Sequence, residues 1–285
     1  ENPDLPEACE AAGIIFVGPP ADVMRKMGSK IAARELAAIA KVPVMPASAP
    51  LTKDAAKTKK LAKEIGYPVM VKATWGGGGR GMRVVDGEDQ LMEHVGAAQR
   101  EAQAAFGNGE VYLEKLVRRA RHVEVQVLGD NHGNIIHLWE RDCSVQRRHQ
   151  KVIERAPAVY LSDDQRAHLC EMGLQIARAV GYRNAGTVEF LQDADTGAFY
   201  FIEMNPRIQV EHTVTEWVTG IDLVQAQIKV AEGARIGTTE SGIPAQKDVR
   251  LYGHAIQCRV TTEDPENNFT PDYGRLTAYR SPAGF

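Results

Sequence analysis

A run of glycines between two strand-like segments is the feature that most limits how this chain can fold. Gly76 to Gly81 follows the apolar segment Pro68 to Ala73 and precedes Met82 to Val85. Glycines let backbone N–H groups crowd around an anion without steric clashes. Lys72 and Arg80 add positive charge at the two ends of the loop. The segment therefore indicates a phosphate-binding loop in a strand–loop–strand arrangement.

Other known phosphate-binding loops fit this segment less well. Gly76, Gly78 and Gly81 match G-x-G-x-x-G, but a dinucleotide-binding loop opens a helix, and a strand is expected here. A P-loop requires Gly-Lys-Ser or Gly-Lys-Thr, and a protein kinase requires Asp-Phe-Gly; the sequence contains neither. What remains is a flap that closes over a triphosphate, with a flexible glycine linker as the alternative.

Acidic and amide side chains lie on two later strands that we expect to form a hairpin. Glu189 lies on Thr187 to Leu191, and Glu203 and Asn205 lie two apart on Phe199 to Asn205. A turn centred on the Asp-Thr-Gly between the strands would put Glu189 directly opposite Glu203. Two carboxylates this close require a cation, and Mg²⁺ takes oxygen ligands and bridges nucleotide phosphates. The pattern predicts a magnesium site, with solvated acids on a strand surface as the alternative.

The chain after Asn205 carries a cation, an amide and an acid at alternate positions. If it stays extended, Arg207, Gln209 and Glu211 share one side and suit a small anion beside a base. The basic run Arg147 to Lys151 supplies more positive charge. The alternatives are surface charge for the basic run and an acid at a helix N-terminus for Glu211.

The remaining pattern predicts an α+β chain in three parts. Residues 1–43 are expected to form helices around one short strand, Ile14 to Val17. Residues 44–116 are expected to form a compact α+β unit. Residues 117–285 are expected to form mostly antiparallel sheet, with a helix that starts at Ser162 in a capping box. Further predicted elements are the helices Thr52 to Ile65 and Glu88 to Phe106 and the strands Val111 to Leu116, His122 to Val127 and Ile135 to Glu140.

Composition and charge restrict the classes of function. The chain has 285 residues, 44% hydrophobic and 25% charged, which is ordinary for a soluble globular protein. The formal net charge of -3 provides no bulk field for nucleic acid or a membrane surface. No apolar run approaches the roughly 20 residues that span a bilayer. Four widely spaced cysteines without a Cys-x-x-Cys pair favour a reducing compartment, and we expect the cytoplasm.

These segments together resemble the ATP-grasp superfamily and, within it, the biotin carboxylases. Tyr67 to Gly81 is similar to one superfamily signature, and Phe201 to Ile208 is similar to the other. Arg141 to Lys151 and Arg207 to His212 resemble segments specific to biotin carboxylases, and Asn267 to Arg275 resembles the pyruvate carboxylase version. The resemblance covers essentially the whole chain. It implies an α+β ATP-grasp fold, with a small lid subdomain over a mostly antiparallel sheet domain.

The resemblance also implies roles for individual residues. ATP would be bound by the flap and its surroundings, namely Lys30, Lys72, Gly77, Gly78, Gly79, Arg80, Gly81, Met82, Glu114, Lys115, Leu116, His122, Gln146, His149 and Leu191. The metal would be held by Glu189, Glu203 and Asn205, and bicarbonate by Arg207, Gln209 and the backbone of Val210. Besides Arg207, the catalytic residues would be the base Glu211, Arg259 at the biotin enolate and Lys151 near the transferred phosphoryl group.

The implied activity is ATP- and bicarbonate-dependent carboxylation of biotin through carboxyphosphate, with Mg²⁺ or Mn²⁺. Because the chain has no Met-Lys-Met biotin segment, biotin is expected on a separate carrier domain, beside a carboxyltransferase domain, in a homo-oligomer. The sequence does not begin with Met, and the family's first and last elements are expected outside it. Pyruvate is the expected final acceptor. The alternatives are an acyl-CoA carboxylase, another ATP-grasp ligase such as a carbamoyl-phosphate-synthetase-like enzyme, and a non-catalytic nucleotide-binding module.

Overall fold

A computed structural model of the chain describes residues 1–28, 30–74, 82–147 and 150–280, except the side chains of Lys30 and Ile31. In chain order the helices are α1 (Asp4–Ala11), α2 (Ala21–Gly28), α3 (Lys30–Ile39), α4 (Ala55–Ile65), α5 (Glu88–Phe106), α6 (Asp163–Val180), α7 (His212–Thr219) and α8 (Leu223–Ala231). The strands are β1 (Val69–Ala73), β2 (Arg83–Val85), β3 (Val111–Lys115), β4 (Ala120–Gly129), β5 (Ile135–Arg147), β6 (Gln150–Ala156), β7 (Asn184–Asp193), β8 (Phe199–Asn205), β9 (Ala255–Cys258), β10 (Glu263–Asp264) and β11 (Thr270–Pro271).

The larger sheet has the strand order β8-β7-β4-β5-β6-β9, and all of its neighbouring strands are antiparallel. Its apolar face comes from the period-two alternation of the strands, because alternate side chains point to opposite faces. Val123 and Val125 of β4 pair with Phe190 and Val188 of β7. These side chains are fully buried and form one core with α6 and with Phe201 of β8. The predicted antiparallel sheet is confirmed.

The opposite face of the same sheet is polar, and it is buried as well. Glu124 and Gln126 of β4 alternate with the core valines, and Thr187 and Glu189 of β7 lie opposite them. Glu124, Gln126 and Thr187 have no exposed surface. Buried charged and amide groups are costly unless each one finds a partner, so this face requires a closed network of hydrogen bonds and ion pairs.

A smaller sheet with the order β2-β1-β3 is also antiparallel, and it packs under α4 and α5. Val69 and Val71 of β1 and Leu113 of β3 share a separate core with Leu91 and Val95 of α5. The segment 75–81, which carries the glycine loop, connects β1 towards β2 and lies outside the described residues. The predicted strands on either side of that loop are present at Val69–Ala73 and Arg83–Val85.

Local signals fix several helix ends. Ser162 and Gln165 form the predicted capping box at the start of α6, each side chain bonding to the other residue's backbone N–H. The helix predicted from Thr52 begins three residues later, because the Asp54 carboxylate accepts hydrogen bonds from the backbone N–H groups of Ala56 and Lys57. Among the described residues, no helix has the length and apolar character needed to cross a membrane.

One predicted strand is wrong, and four strands, β6, β9, β10 and β11, were not predicted. Ile14 to Val17 forms no strand, and both Ile14 and Ile15 are more than half exposed. A strand needs a neighbour to pair with, and no described strand hydrogen-bonds to this segment. Conversely, the basic run up to Lys151 continues into β6, and β5 extends beyond the predicted Glu140 to Arg147.

Gly173 lets α6 approach the large sheet closely, because a Cβ built there would lie 2.8 Å from Cγ1 of Val125. We expect Gly173→Ala to lower the free energy of unfolding by about 1–3 kcal/mol through overpacking. Urea unfolding measures the effect. Gly96→Ala on α5 is the matched control, because its Cβ would meet only the flexible Arg100 side chain at 3.5 Å, and it should be neutral or stabilising. Equal effects of the two changes would contradict close packing at Gly173.

Candidate functional site

A row of charged residues crosses four neighbouring strands on the polar face of the large sheet. Arg141 of β5 pairs with Glu124 of β4, Glu124 pairs with Glu189 of β7, and Glu189 pairs with Glu203 of β8. The pairing of Glu189 with Glu203 confirms the register predicted from the hairpin. The first three side chains are buried, whereas Glu203 is exposed at the edge of a cleft. The strand register therefore places three carboxylates side by side.

Arg141 anchors this row and has no exposed surface. Its Nε donates to Glu124 Oε2 at 2.9 Å, and its Nη1 and Nη2 groups donate at 2.7–3.2 Å to Gln126, Thr215, Thr187 and Gln209. Each of its three nitrogens is thus bonded to the protein, which holds the guanidinium in one orientation. Sequence reasoning assigned no role to Arg141 or Glu124. The available signals were the position of Arg141 at the start of the segment Arg141 to Lys151 and the polar position of Glu124 in the predicted strand His122 to Val127.

Lys151 supplies the second cation and contacts three carboxylates. Its Nζ donates to Glu124 Oε1, to Glu189 Oε1 at 2.9 Å and to Glu211 Oε1 at 2.7 Å. Lys151 lies on β6 and Glu211 directly precedes α7, so the ammonium group joins the sheet to the following helix. The ammonium group therefore offsets part of the charge of three neighbouring acids, and Arg141 offsets Glu124 further.

Glu211 lies between two cations, because its second oxygen accepts from Arg259 Nη2 at 2.8 Å. Arg259 directly follows β9 and also donates from Nε to Glu154 Oε1 at 2.6 Å. The side chain of Glu154 is fully buried, and its Oε2 has no hydrogen-bond partner among the described residues. The predicted base and the predicted biotin arginine are therefore in direct contact.

The surroundings of the two buried acids keep them ionised. Burial by itself raises the pKa of Glu211, but the positive charges of Lys151 and Arg141 and the Lys151 hydrogen bond outweigh it. The pKa of Glu211 therefore lies below its ordinary value. Burial likewise raises the pKa of Glu189, but the His122 ring, whose Nε2 lies 2.9 Å from Glu189 Oε2, followed by Lys151, moves it far below the ordinary value. Both carboxylates carry negative charge at neutral pH.

The predicted metal ligands form a set of oxygen donors. Asn205 Nδ2 donates to Glu189 Oε1 at 2.8 Å, while Glu203 lies across the strand pair from Glu189. Atoms of His122, Glu124 and Glu189 suited to a metal also lie within 4.8 Å of one another. Carboxylate and amide oxygens are the ligands that Mg²⁺ prefers. The carboxylates of Glu189 and Glu203 are thus compatible with a magnesium ion, whereas Asn205 turns its amide nitrogen towards Glu189 and its Oδ1 accepts from Arg207.

The chain beyond Asn205 does not stay extended, which was the condition for Arg207, Gln209 and Glu211 to share one side. The backbone N–H of Arg207 bonds back to the Asn205 carbonyl at 2.9 Å, and Glu211 takes the N-cap position of α7. The alternative of a helix N-terminal acid thus describes the backbone at Glu211, although its carboxylate makes no capping hydrogen bond. Gln209 is buried and bridges Arg141 to Glu189, while Arg207 and Val210 are exposed. A turn, rather than a strand face, brings these residues together.

One cleft of about 960 Å³ collects eleven of the predicted residues. Its lining includes His122, Gln146, Lys151, Glu189, Glu203, Asn205, Arg207, Gln209, Val210, Glu211 and Arg259. The predicted flap residues Gly77, Gly78, Gly79, Arg80 and Gly81, together with His149 and the side chain of Lys30, lie outside the described residues.

The other predicted nucleotide residues lie on or beside the small sheet and on β5 and β7 of the large sheet. Lys72 of β1 forms an ion pair with Glu114 of β3, which Arg34 approaches at 3.5 Å. Lys115 Nζ donates to the carbonyl groups of Gly66 and Tyr67 at 2.8 and 3.0 Å. Four further residues of the predicted set are partly buried, namely Met82, Leu116, Gln146 and Leu191.

Comparison with known proteins identifies the class. Residues 29–239 match the profile of the carbamoyl-phosphate synthase L chain, ATP binding domain, and the chain belongs to that family. Within the family it resembles the biotin carboxylase part of pyruvate carboxylases. It is 52% identical over its whole length to pyruvate carboxylase from Bacillus subtilis, and it spans 25% of that protein.

Solved structures agree on the fold. Rhizobium etli pyruvate carboxylase matches with a TM-score of 0.86 and 66% identity over 99% of this chain and 25% of that one. The biotin carboxylase domain of Hydrogenobacter thermophilus 2-oxoglutarate carboxylase, solved with MgADP and bicarbonate, matches with a TM-score of 0.86 and 45% identity, over all of this chain and 61% of that one. The chain therefore has the ATP-grasp fold of biotin carboxylase domains.

Removing the Lys151 ammonium group leaves three neighbouring carboxylates with less positive charge around them. In Lys151→Met, Glu189 and Glu211 lose a positive charge that lowers their pKa values, and with Glu124 beside them we expect their folded-state pKa values to rise above those of the unfolded chain. Stability from a raised carboxyl pKa is present below the unfolded pKa and is lost as pH rises. We expect Lys151→Met to lose about 3–5 kcal/mol at pH 8 and clearly less at pH 5, measured by urea unfolding with a metal chelator.

Lys115→Met is the matched control, because Lys115 is also partly buried but bonds to neutral carbonyl groups. Its loss of stability should be about the same at both pH values. An equal loss at pH 5 and pH 8 in Lys151→Met would contradict the charge cluster.

Proposed function

We propose that the chain catalyses the ATP- and bicarbonate-dependent carboxylation of carrier-bound biotin through carboxyphosphate, the first half-reaction of a biotin-dependent carboxylase. One observation carries the proposal. Glu211 is held ionised between Lys151 and Arg259 in the same cleft as the oxygen donors Glu189 and Glu203. A base, a phosphate-neutralising cation and a metal-binding acid pair are the groups that phosphorylation of bicarbonate requires.

In the first step Arg207, Gln209 and the backbone of Val210 bind bicarbonate, and the Glu211 carboxylate accepts its proton. A bicarbonate oxygen then attacks the γ-phosphorus of ATP, and the bond to the ADP oxygen breaks. Lys72 and Lys151 neutralise charge on the transferred group. The ATP phosphates attract the Lys151 ammonium group, which weakens its ion pair with Glu211. The pKa of Glu211 therefore rises in the step in which it accepts the bicarbonate proton.

Bound Mg²⁺ or Mn²⁺ supplies charge neutralisation across the phosphate oxygens, and Glu189, Glu203 and Asn205 are the residues that would hold it. The pairing of Glu189 with Glu203 across two strands supports this assignment. Lys30, Met82, Glu114, Lys115, Leu116, His122, Gln146, His149, Leu191 and the loop of Gly77, Gly78, Gly79, Arg80 and Gly81 would bind ATP and exclude water from the site.

In the second step carboxyphosphate releases CO₂ beside biotin. Phosphate or a protein base removes the proton from biotin N1, and the resulting nitrogen attacks CO₂. Arg259 offsets the negative charge that develops on the ureido oxygen. Arg259 contacts Glu211 directly. The residue that accepts the bicarbonate proton and the residue that stabilises the biotin enolate are therefore neighbours.

The setting of this reaction is part of the proposal. We place the chain in a pyruvate carboxylase, working with a biotin carboxyl carrier domain and a carboxyltransferase domain in a homo-oligomer in the cytoplasm, without nucleic acid or membrane partners. The four unpaired cysteines fit a reducing compartment. Residues 1–43, 44–116 and 117–285 would be the linker region, the lid and the main subdomain. The separate cores of the two sheets support the division between the last two, whereas Val23, Met27 and Ala33 of the linker region pack into the main core.

Glu211→Gln keeps the size of the side chain and removes the base. We expect biotin-stimulated, bicarbonate-dependent ATP hydrolysis to fall at least about 100-fold, as loss of general base catalysis does, while ATP binding stays near normal. A coupled assay for ADP and titration with a fluorescent ATP analogue measure the two quantities. Glu232→Gln, at the exposed end of α8, should retain activity. Full activity in Glu211→Gln would remove Glu211 as the base.

Glu203→Gln tests the metal site. We expect the Mg²⁺ concentration for half-maximal ATP hydrolysis to rise at least about tenfold, because losing a carboxylate weakens the hold on the ion. Saturating Mg²⁺ should restore much of the rate. Asp163→Asn, an exposed acid at the start of α6, should leave the Mg²⁺ dependence unchanged. An unchanged Mg²⁺ requirement in Glu203→Gln would show that Glu203 does not bind the ion.

A further inference from the structure

Arg207 contacts a residue that is distant in sequence and that none of the motifs includes. Its Nε donates to Glu1 Oε1 at 2.7 Å, across 206 positions of the chain. Nη2 donates to Asn205 Oδ1 at 3.2 Å, and Nη1 donates to the Ile208 carbonyl at 3.3 Å. The guanidinium therefore has two neutral acceptors from its own turn and one anionic acceptor from the start of the chain.

The three contacts leave some N–H groups of the Arg207 guanidinium for a ligand. A guanidinium has five N–H groups, one on Nε and two on each terminal nitrogen. The three contacts use the single Nε–H and one N–H on each terminal nitrogen. Within the part of the chain that the structure describes, one N–H remains on each terminal nitrogen, and terminal N–H groups of arginine suit the oxygens of a planar oxyanion. With Glu1 on Nε, the free donors are confined to the terminal nitrogens.

We infer that Glu1 is a positioning residue, whose carboxylate holds Arg207 so that its terminal nitrogens bind bicarbonate. This inference rests on the proposed function, because it concerns the same anion site. Without Glu1, the guanidinium keeps only two weak contacts to neutral oxygens and rotates more freely. Pre-organised donors bind an anion better, because less conformational freedom is lost on binding.

The size of the effect follows from the exposure of the pair. The Arg207 and Glu1 side chains are 49% and 41% exposed, and contacts between exposed charges are weak. We therefore expect Glu1→Gln to raise the KM for bicarbonate about three- to fivefold, with the KM for ATP unchanged. Glu1→Asp keeps the charge on a shorter side chain and should restore part of the affinity.

Glu7→Gln is the matched control. Glu7 lies on α1 and pairs with Arg25 of α2, and its side chain is 48% exposed. The change removes an exposed glutamate–arginine pair from the same end of the chain without touching the cleft. If Glu1 served only to hold the N-terminal region in place, Glu7→Gln would change the KM for bicarbonate in the same way.

The experiment uses the full chain with two readouts. Steady-state kinetics give the KM for bicarbonate and for ATP, and ¹³C NMR titration of labelled bicarbonate measures binding without turnover. Weaker bicarbonate binding in Glu1→Gln, with Glu7→Gln and the KM for ATP unchanged, supports the inference. Unchanged or tighter binding in Glu1→Gln overturns it, since Glu1 would then be neutral or would compete with the anion. Failure of the proposed function can be distinguished from failure of this inference, because in that case the unmodified chain itself would lack biotin-stimulated ATP hydrolysis.

Discussion

The site depends on two cations, the buried Arg141 and the partly buried Lys151, on a sheet face that also buries glutamates. Removing a charged group from water costs several kcal/mol unless other groups satisfy it. Arg141 meets this cost with hydrogen bonds to five side chains, and Lys151 meets it by contacting three carboxylates. Loss of either cation would leave acids that repel one another. The same constraint that stabilises the fold therefore keeps the acids ionised for catalysis.

The two faces of the sheet share one set of strands. On β4 and β7 the odd and even positions alternate between the core beneath α6 and the polar cleft. A shift of one residue in register would bury the valines in the cleft and the acids in the core. Packing of Val125 against Gly173 and the row from Arg141 to Glu203 thus fix the same register from opposite sides.

The sequence was most informative where local chemistry determines structure. The capping box at Ser162, the hairpin that pairs Glu189 with Glu203 and the alternation on β4 were all predictable, because each depends on residues close in sequence or on strand periodicity. The nucleotide and bicarbonate roles came from family resemblance, and they remain proposals for the individual residues.

What the sequence did not predict depends on contacts between distant segments. Arg141 was missed as an anchor because its partners come from strands β4 and β7, the turn before α7 and α7 itself. The strand predicted at Ile14 to Val17 failed because apolar character alone provides no pairing partner. The turn after Asn205 was not predicted, because alternate polar residues fit both a strand face and a folded loop.

The fate of a bicarbonate oxygen tests the central claim most directly. If bicarbonate attacks the γ-phosphorus and carboxyphosphate then loses CO₂, one bicarbonate oxygen stays on phosphorus. In biotin-stimulated ATP hydrolysis with ¹⁸O-bicarbonate, mass spectrometry should therefore find one ¹⁸O atom in each inorganic phosphate. Phosphate without ¹⁸O, formed at the same rate, would show that water is the nucleophile and would contradict the assignment of this cleft to bicarbonate phosphorylation.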